Sequence, residues 1–209
     1  MQIVFALYEE FTALDAVGPY EVLSRLPGAT AVFAAMERGP VRTDGALTVM
    51  AEAALEEIDR CDVLVVPGGP GTRDVVLGDQ RYVDWVRRVH PTTRWTTSVC
   101  SGSLILGAAG LLRGLDATTH WGLRKELEAT GARYVPERTV EQGRILTAAG
   151  VSAGIDMALT LAARIGGDVA AQAIQLWIEY DPQPPFDSGS PAKASPETLD
   201  FVATHLAPG

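Results

Sequence analysis

TTSVCSGSLILGAAGLL, residues 96–112, decides how the chain folds. Its first part, with Thr96, Thr97 and Val99, is β-branched and reads as a buried strand. Beyond Cys100 the chain passes through Ser101-Gly102-Ser103 into Leu104, Ile105 and Leu106, then the small residues 107–110. That second part reads as a helix packed closely on its neighbours, capped near Gly114. Cys100 therefore falls on a sharp strand-to-helix turn, a nucleophile elbow with cysteine in place of the usual serine. Unpaired N–H groups and the dipole at a helix N-terminus favour thiolate over thiol, which sets Cys100 apart from an inert buried cysteine.

The same alternation extends on both sides. Residues 2–8 (QIVFALY) are an unbroken apolar strand of the kind a parallel sheet buries on both faces. A helix follows, starting near Asp15 or Ala16 and ended by Pro27-Gly28, with Pro19 tolerated in its first turn. Asp15 has a plain reading as the N-cap of that helix. Residues 31–36 read as a strand, 41–50 as a hairpin turning at Thr43-Asp44-Gly45, and 53–58 as a short helix. Residues 62–66 form another apolar strand, ending in the turn Pro67-Gly68-Gly69-Pro70-Gly71, where glycine lets backbone N–H groups approach a ligand. No Gly-Lys-Ser/Thr follows, so this is not a phosphate loop. Helices are expected over 80–89, 122–130, 151–165 and 168–180, with a short strand or turn at 117–121 and short strands at 134–135 and 144–147. A tail rich in Pro, Ser and Gly runs from about 181 into a terminal helix over 197–206.

Composition narrows the function classes. The chain has 209 residues, long enough to bury the core of one α/β domain, and no internal repeat or linker divides it. A net charge of −9 argues against a nucleic-acid surface or an anionic membrane. The longest apolar run, residues 104–112, is too short to span a bilayer, and MQIVFALYEE lacks the features of a signal peptide, so a cytoplasmic protein is expected. The two cysteines, Cys61 and Cys100, make no metal motif.

Strands alternating with helices imply a mostly parallel sheet with helices on both faces, and ligands at the carboxyl ends of its strands. Asp15, Gly68-Gly69 and Cys100 each follow such an end, so an acid, backbone donors and a thiol are expected at one sheet edge. Cys61 enters its strand at the opposite edge, which excludes a disulfide with Cys100 and leaves it structural.

The segments LDAVGPYEVL, VLVVPGG, SVCSGSLILGAAGLL, ATTHW and ILTAAGVSAGIDMALTLAA, in that order, resemble the ThiJ/PfpI superfamily. The likeness covers nearly the whole chain, tail included, and is nearest to the isonitrile hydratase branch. It implies a single domain with a flavodoxin-like, class I glutamine amidotransferase-like sandwich, a homodimer, and no metal or organic cofactor; small apolar residues around Gly18-Pro19 and the ATTHW turn are compatible with its interface. The implied reaction hydrates an isonitrile to an N-substituted formamide. The nucleophile maps onto Cys100, the acid onto Asp15, and the elbow neighbour, usually Thr, onto Ser101. The N–H groups of Gly69 and Ser101 are candidate polar anchors. Peptidase-like members place histidine after the cysteine, where this chain has Ser101, and glyoxalase-like members carry glutamate in place of Asp15. Of the three histidines, His90 ends a surface helix, His205 lies in the tail, and His120 reads as structural in its turn. An amidase is therefore rejected. Sensor halves of AraC-type regulators resemble ILTAAGVSAGID as well, but no DNA-binding domain is expected here.

Overall fold

The computed structural model describes residues 1–206. Strand β1 (Gln2–Ala6), fully buried from Ile3 onward, leads through residues 7–12 into helix α1 (Ala13–Leu23). Strand β2 (Thr30–Ala35) precedes the antiparallel hairpin β3 (Gly39–Arg42) and β4 (Thr48–Ala51), which turns through Thr43-Asp44-Gly45 as expected. The short helix expected over 53–58 is instead strand β5 (Ala53–Ala54) followed by a 3₁₀ turn, Leu55–Glu57. Pairing with β2 extends Ala53 and Ala54, and the Glu57 carboxylate accepts the Ala54 N–H at 2.8 Å, which holds the tight turn.

Strand β6 (Val63–Val66) is buried throughout. Helices α2 (Thr72–Gly78) and α3 (Gln80–Val89) follow, then β7 (Trp95–Val99), the elbow and helix α4 (Gly102–Ala108). Sequence periodicity is too weak to reveal the seven-residue α2. Helix α4 ends well before the expected cap at Gly114, because Gly110 already takes a left-handed φ of 80° and its N–H bonds to the Gly107 carbonyl at 2.8 Å. Strand β8 (Asp116–Ala117), helix α5 (Arg124–Ala129) and strand β9 (Arg133–Tyr134) lead to β10 (Thr139–Gln142) and β11 (Ile145–Ala148). The last two form a hairpin through Gly143, whereas the sequence reading identified only its second strand. Helices α6 (Ala153–Gly166) and α7 (Asp168–Trp177) follow.

Seven of these strands make the central sheet in the order β10-β11-β7-β6-β1-β2-β5, every pairing parallel except β10 with β11. Helices α1, α6 and α7 pack together in one layer, and α2 to α5 in another. In the second layer α3 turns Tyr82, Val83, Val86 and Val89 into the core, and the Tyr82 hydroxyl donates to the Ala6 carbonyl at 2.6 Å. This is the flavodoxin-like α/β sandwich that the sequence predicts. Gly18 and Pro19, expected near an exposed interface, are buried within the chain: a Cβ on Gly18 would lie 3.0 Å from Ile155, and Pro19 packs beside Gly154 on α6.

The chain divides into two compact units, residues 1–178 and a second from Glu179 onward. In the second, helix α8 (Pro196–His205) starts with Pro196 in its first turn and is capped by Ser195, whose hydroxyl accepts the Thr198 N–H at 3.2 Å.

Candidate active site

The strands β1, β6 and β7 are adjacent in the sheet, so the loops after them meet at one edge. Cys100 sits between β7 and α4 with φ of 55°, a left-handed conformation that costs a non-glycine residue about 1–3 kcal/mol. The surrounding backbone holds it there. Its N–H donates to the Ala149 carbonyl at 2.9 Å, and its carbonyl accepts the hydroxyls of Thr119 at 3.0 Å and Ser103 at 3.1 Å. Gly102 makes the turn possible, since a Cβ there would strike the Val66 and Pro67 carbonyls.

Asp15 reaches the same place from α1, although not as a cap. The helix begins two residues earlier than expected, with Thr12 at the N-cap, so Asp15 falls in the first turn and faces inward. Its side chain is fully buried. One oxygen, Oδ2, accepts the Gly68 N–H at 2.9 Å, and Oδ1 has no partner among the described residues. Gly68 touches both halves of the site: a Cβ on it would lie 2.9 Å from that of Cys100 and 2.5 Å from the Ser101 nitrogen. No larger residue fits between acid and thiol.

Burial raises the Asp15 carboxyl to about 7; the Gly68 N–H pulls it down, and Asp44 adds a smaller upward push. Burial, with a smaller push from the Asp15 charge, raises the Cys100 thiol to about 12. The N–H groups of Ser101 and Val151 and the Ser101 hydroxyl oppose this without overcoming it. The expectation of a resting thiolate is therefore corrected. The N-terminus of a short α4 does not outweigh removal of the sulfur from water, and the site at rest holds a thiol beside a carboxyl that titrates near neutrality.

Gly69 has φ of 145°, open only to glycine, and its N–H donates to the Ser101 hydroxyl at 2.8 Å. It is thus not aimed at a ligand; the anchor it was expected to supply is taken by Ser101. The Ser101 N–H faces the Cys100 sulfur. The Ser101 hydroxyl lies 2.8 Å from that of Thr72, which lies 2.8 Å from the hydroxyl of Tyr8. Nothing in the sequence marks Thr72 or Tyr8 as neighbours of the cysteine, because they come from α2 and from just past β1.

Val151 is a further contributor that sequence reasoning missed. It follows β11, the neighbour of β7 on its other side, and φ of 30° turns its N–H toward the sulfur. A β-branched residue rarely adopts that conformation. His120 stands behind this loop, its Cδ2 2.8 Å from where a Cβ on Gly150 would be. Its Nδ1 accepts the Gly122 N–H at 3.2 Å, and burial lowers its proton affinity. That is a structural histidine, as expected. Cys61 is free and buried below β6, far along the strand from Cys100, and burial pushes its thiol to about 12. Among the described residues no three His, Cys, Asp or Glu side chains gather as a metal site. A cleft of about 700 Å³ is lined by Tyr8, Arg42, Gly71 and Asp74 among others; it shares Tyr8 with the surroundings of the site, but neither Cys100 nor Asp15 lines it.

A parallel α/β sandwich with a cysteine elbow, and an acid from the connection after its first strand, defines a recognisable class of protein. The chain belongs to the DJ-1/PfpI family, whose pattern matches residues 1–164. It is 41% identical over 208 residues to the isonitrile hydratase of Pseudomonas putida, covering 100% of this chain and 91% of that protein. Deglycase PfpI of Pyrococcus furiosus is 27% identical over 145 residues, covering 68% of this chain and 86% of that one. The crystal structure of a ThiJ/PfpI family protein from Pseudomonas syringae matches with a TM-score of 0.92 and 36% identity, over 97% of this chain and 86% of that chain.

Proposed function

We propose that this protein hydrates isonitriles to N-substituted formamides, with Cys100 as nucleophile and Asp15 as the group that moves protons. The observation that carries the reading is the Asp15 carboxyl: buried against Gly68, free at Oδ1 and titrating near 7 beside a thiol. The relative that hydrates isonitriles, alike over the full chain, supports it. An amide or ester needs a proton for its leaving group, and the nearby His120 is turned to its own loop. An isonitrile has no group to lose until the thiol itself departs.

The reactive form carries one proton between the two groups. Ionised Asp15 takes the Cys100 proton on Oδ1, the sulfur attacks the terminal carbon of R–NC, and Asp15 returns the proton to that carbon. The product is a thioimidate, R–N=CH–S–Cys100. Water then adds to the C=N carbon, Asp15 takes one of its protons and passes it to the nitrogen, and the carbon–sulfur bond breaks as Asp15 carries the remaining hydroxyl proton to the sulfur. The formamide R–NH–CHO leaves and the thiol is restored. Ser101 and the Val151 N–H hold the sulfur in line through both halves.

Incubating the protein with alkyl and aryl isonitriles and following formamide tests this directly. Formation by the native chain and by Cys61→Ser, with none from Cys100→Ala, is the expected result. In Asp15→Asn, intact-protein mass spectrometry should find Cys100 unmodified by the isonitrile and no formamide should form, because no group remains to take the thiol proton. Consumption of methylglyoxal with every isonitrile left untouched would overturn the proposal in favour of deglycase-type chemistry.

A further inference from the structure

Ser101, Thr72 and Tyr8 form a line of three buried hydroxyls that begins at the nucleophile. Each has one proton to give. The Tyr8 hydroxyl donates to the Pro67 carbonyl at 2.8 Å, which leaves Thr72 to donate to Tyr8 and Ser101 to donate to Thr72. The Gly69 N–H completes the series on the Ser101 oxygen. The opposite order would end on the Gly69 carbonyl, which lies farther from Ser101, at 3.3 Å, and already accepts the Thr72 N–H at 3.1 Å. The first order uses the shorter bonds and satisfies both carbonyls. In it the Ser101 proton points to Thr72 and away from the sulfur, whose thiolate form that hydroxyl favours when turned to it.

We propose that Thr72 and Tyr8 are positioning residues that withhold the Ser101 proton from the Cys100 sulfur at rest and turn it onto the sulfur as the thiolate forms. In the turned state Tyr8 donates to Thr72, Thr72 to Ser101, and Ser101 to the sulfur. Only O–H bonds rotate; no covalent bond changes. The turn leaves the Pro67 carbonyl without its Tyr8 donor and gains a charge-assisted bond to the thiolate. Cooperative strengthening along the line is the smaller effect, so the hydroxyls act on balance as a latch that favours the thiol. The other titratable groups facing the sulfur are Asp15 from α1 and the Tyr8 phenol itself, with His120 beyond Gly150. The inference rests on Cys100 being the nucleophile of the proposed reaction, and not on the isonitrile being its substrate.

The test is alkylation of Cys100 by iodoacetamide across pH, in a Cys61→Ser background so that one thiol reports. Thr72→Val and Tyr8→Phe keep shape and each break the line once, which frees Ser101 for the sulfur. Each should move the alkylation profile about one pH unit lower, and alkylation at pH 8 should run about threefold faster once the reduced nucleophilicity of a more acidic thiol is included. Thr72→Ser should restore the native profile. The double variant should match either single one, because a line already broken cannot be broken again. In a Ser101→Ala background neither change should have any effect. Additive shifts in the double variant, shifts that persist without Ser101, or unaltered profiles would each overturn the latch. If Thr72→Val does not fold, Tyr8→Phe carries the same expectation alone. Shifted alkylation with no formamide from any isonitrile would remove the proposed reaction and keep the latch; formamide with unshifted alkylation would do the reverse.

Discussion

At Asp15 a single carboxyl links pH, stability and turnover. It titrates near 3.8 when free and about 7 when folded. Below the lower value both states are protonated and nothing is lost; between the two the folded chain keeps a proton the unfolded chain has released, so stability falls as pH rises. At about 1.36 kcal/mol per pH unit the loss reaches up to about 4 kcal/mol above pH 7. Asp15→Asn should therefore melt at a higher temperature than the native chain at pH 8, with the gap closing toward pH 4. Thermal melts at the two pH values check this, and a loss of stability at pH 8 would contradict the buried geometry. Turnover runs the other way. The reactive form needs ionised Asp15 with a protonated thiol, so kcat/KM should rise with an apparent pKa near 7 and hold level to the alkaline limit set by the thiol. A profile that falls across pH 7 would mean that Asp15 works from its protonated form.

Two glycines at the ends of β6 and β7 separate the demands of folding from those of chemistry. A Cβ on Gly102 presses on the carbonyls of β6 and its turn, driving α4 off the sheet. Gly102→Ala should cost about 1–3 kcal/mol by denaturant unfolding. A Cβ on Gly68 instead meets Ser101 and Cys100, so Gly68→Ala should lower kcat about 100-fold by displacing the nucleophile, with the fold kept. Steady-state rates set beside unfolding midpoints distinguish the two. These elements also show where the sequence was informative. Unbroken apolar runs marked β1 and β6, a β-branched run marked β7, and chain order placed Asp15, Gly68 and Cys100 at their carboxyl ends, so the acid, the turn and the thiol were legible. Tertiary pairing was not. Only contact with β2 makes Ala53-Ala54 a strand, and only the approach of α2 puts Thr72 against Ser101. The thiol's protonation was misjudged for a related reason: a motif shows the helix N-terminus, whereas burial depends on everything packed around it.

For the whole molecule, α7 leaves Val169, Leu176 and Trp177 each at least three-quarters exposed. An apolar stripe of that kind is unusual on a surface without a partner. We propose that the chain pairs with a second copy, as the family resemblance implies. Sedimentation velocity at micromolar concentration should show a species of twice 22.2 kDa, and Trp177→Glu should shift it to the monomer. A native chain that sediments only as monomer removes the proposal.

The two ends of the central sheet have a consequence for how the protein fails. Strand β5 contributes two residues, and β10 at the far side carries Glu141, whose carboxylate meets Arg164 at 3.1 Å. A two-residue border offers almost no row of open backbone groups, and a charge on the other border repels a flat, apolar neighbour. Strand addition is thus disfavoured at β5 and at Glu141, and the exposed apolar side chains of α7 offer an easier route to misassembly than the sheet that carries the chemistry.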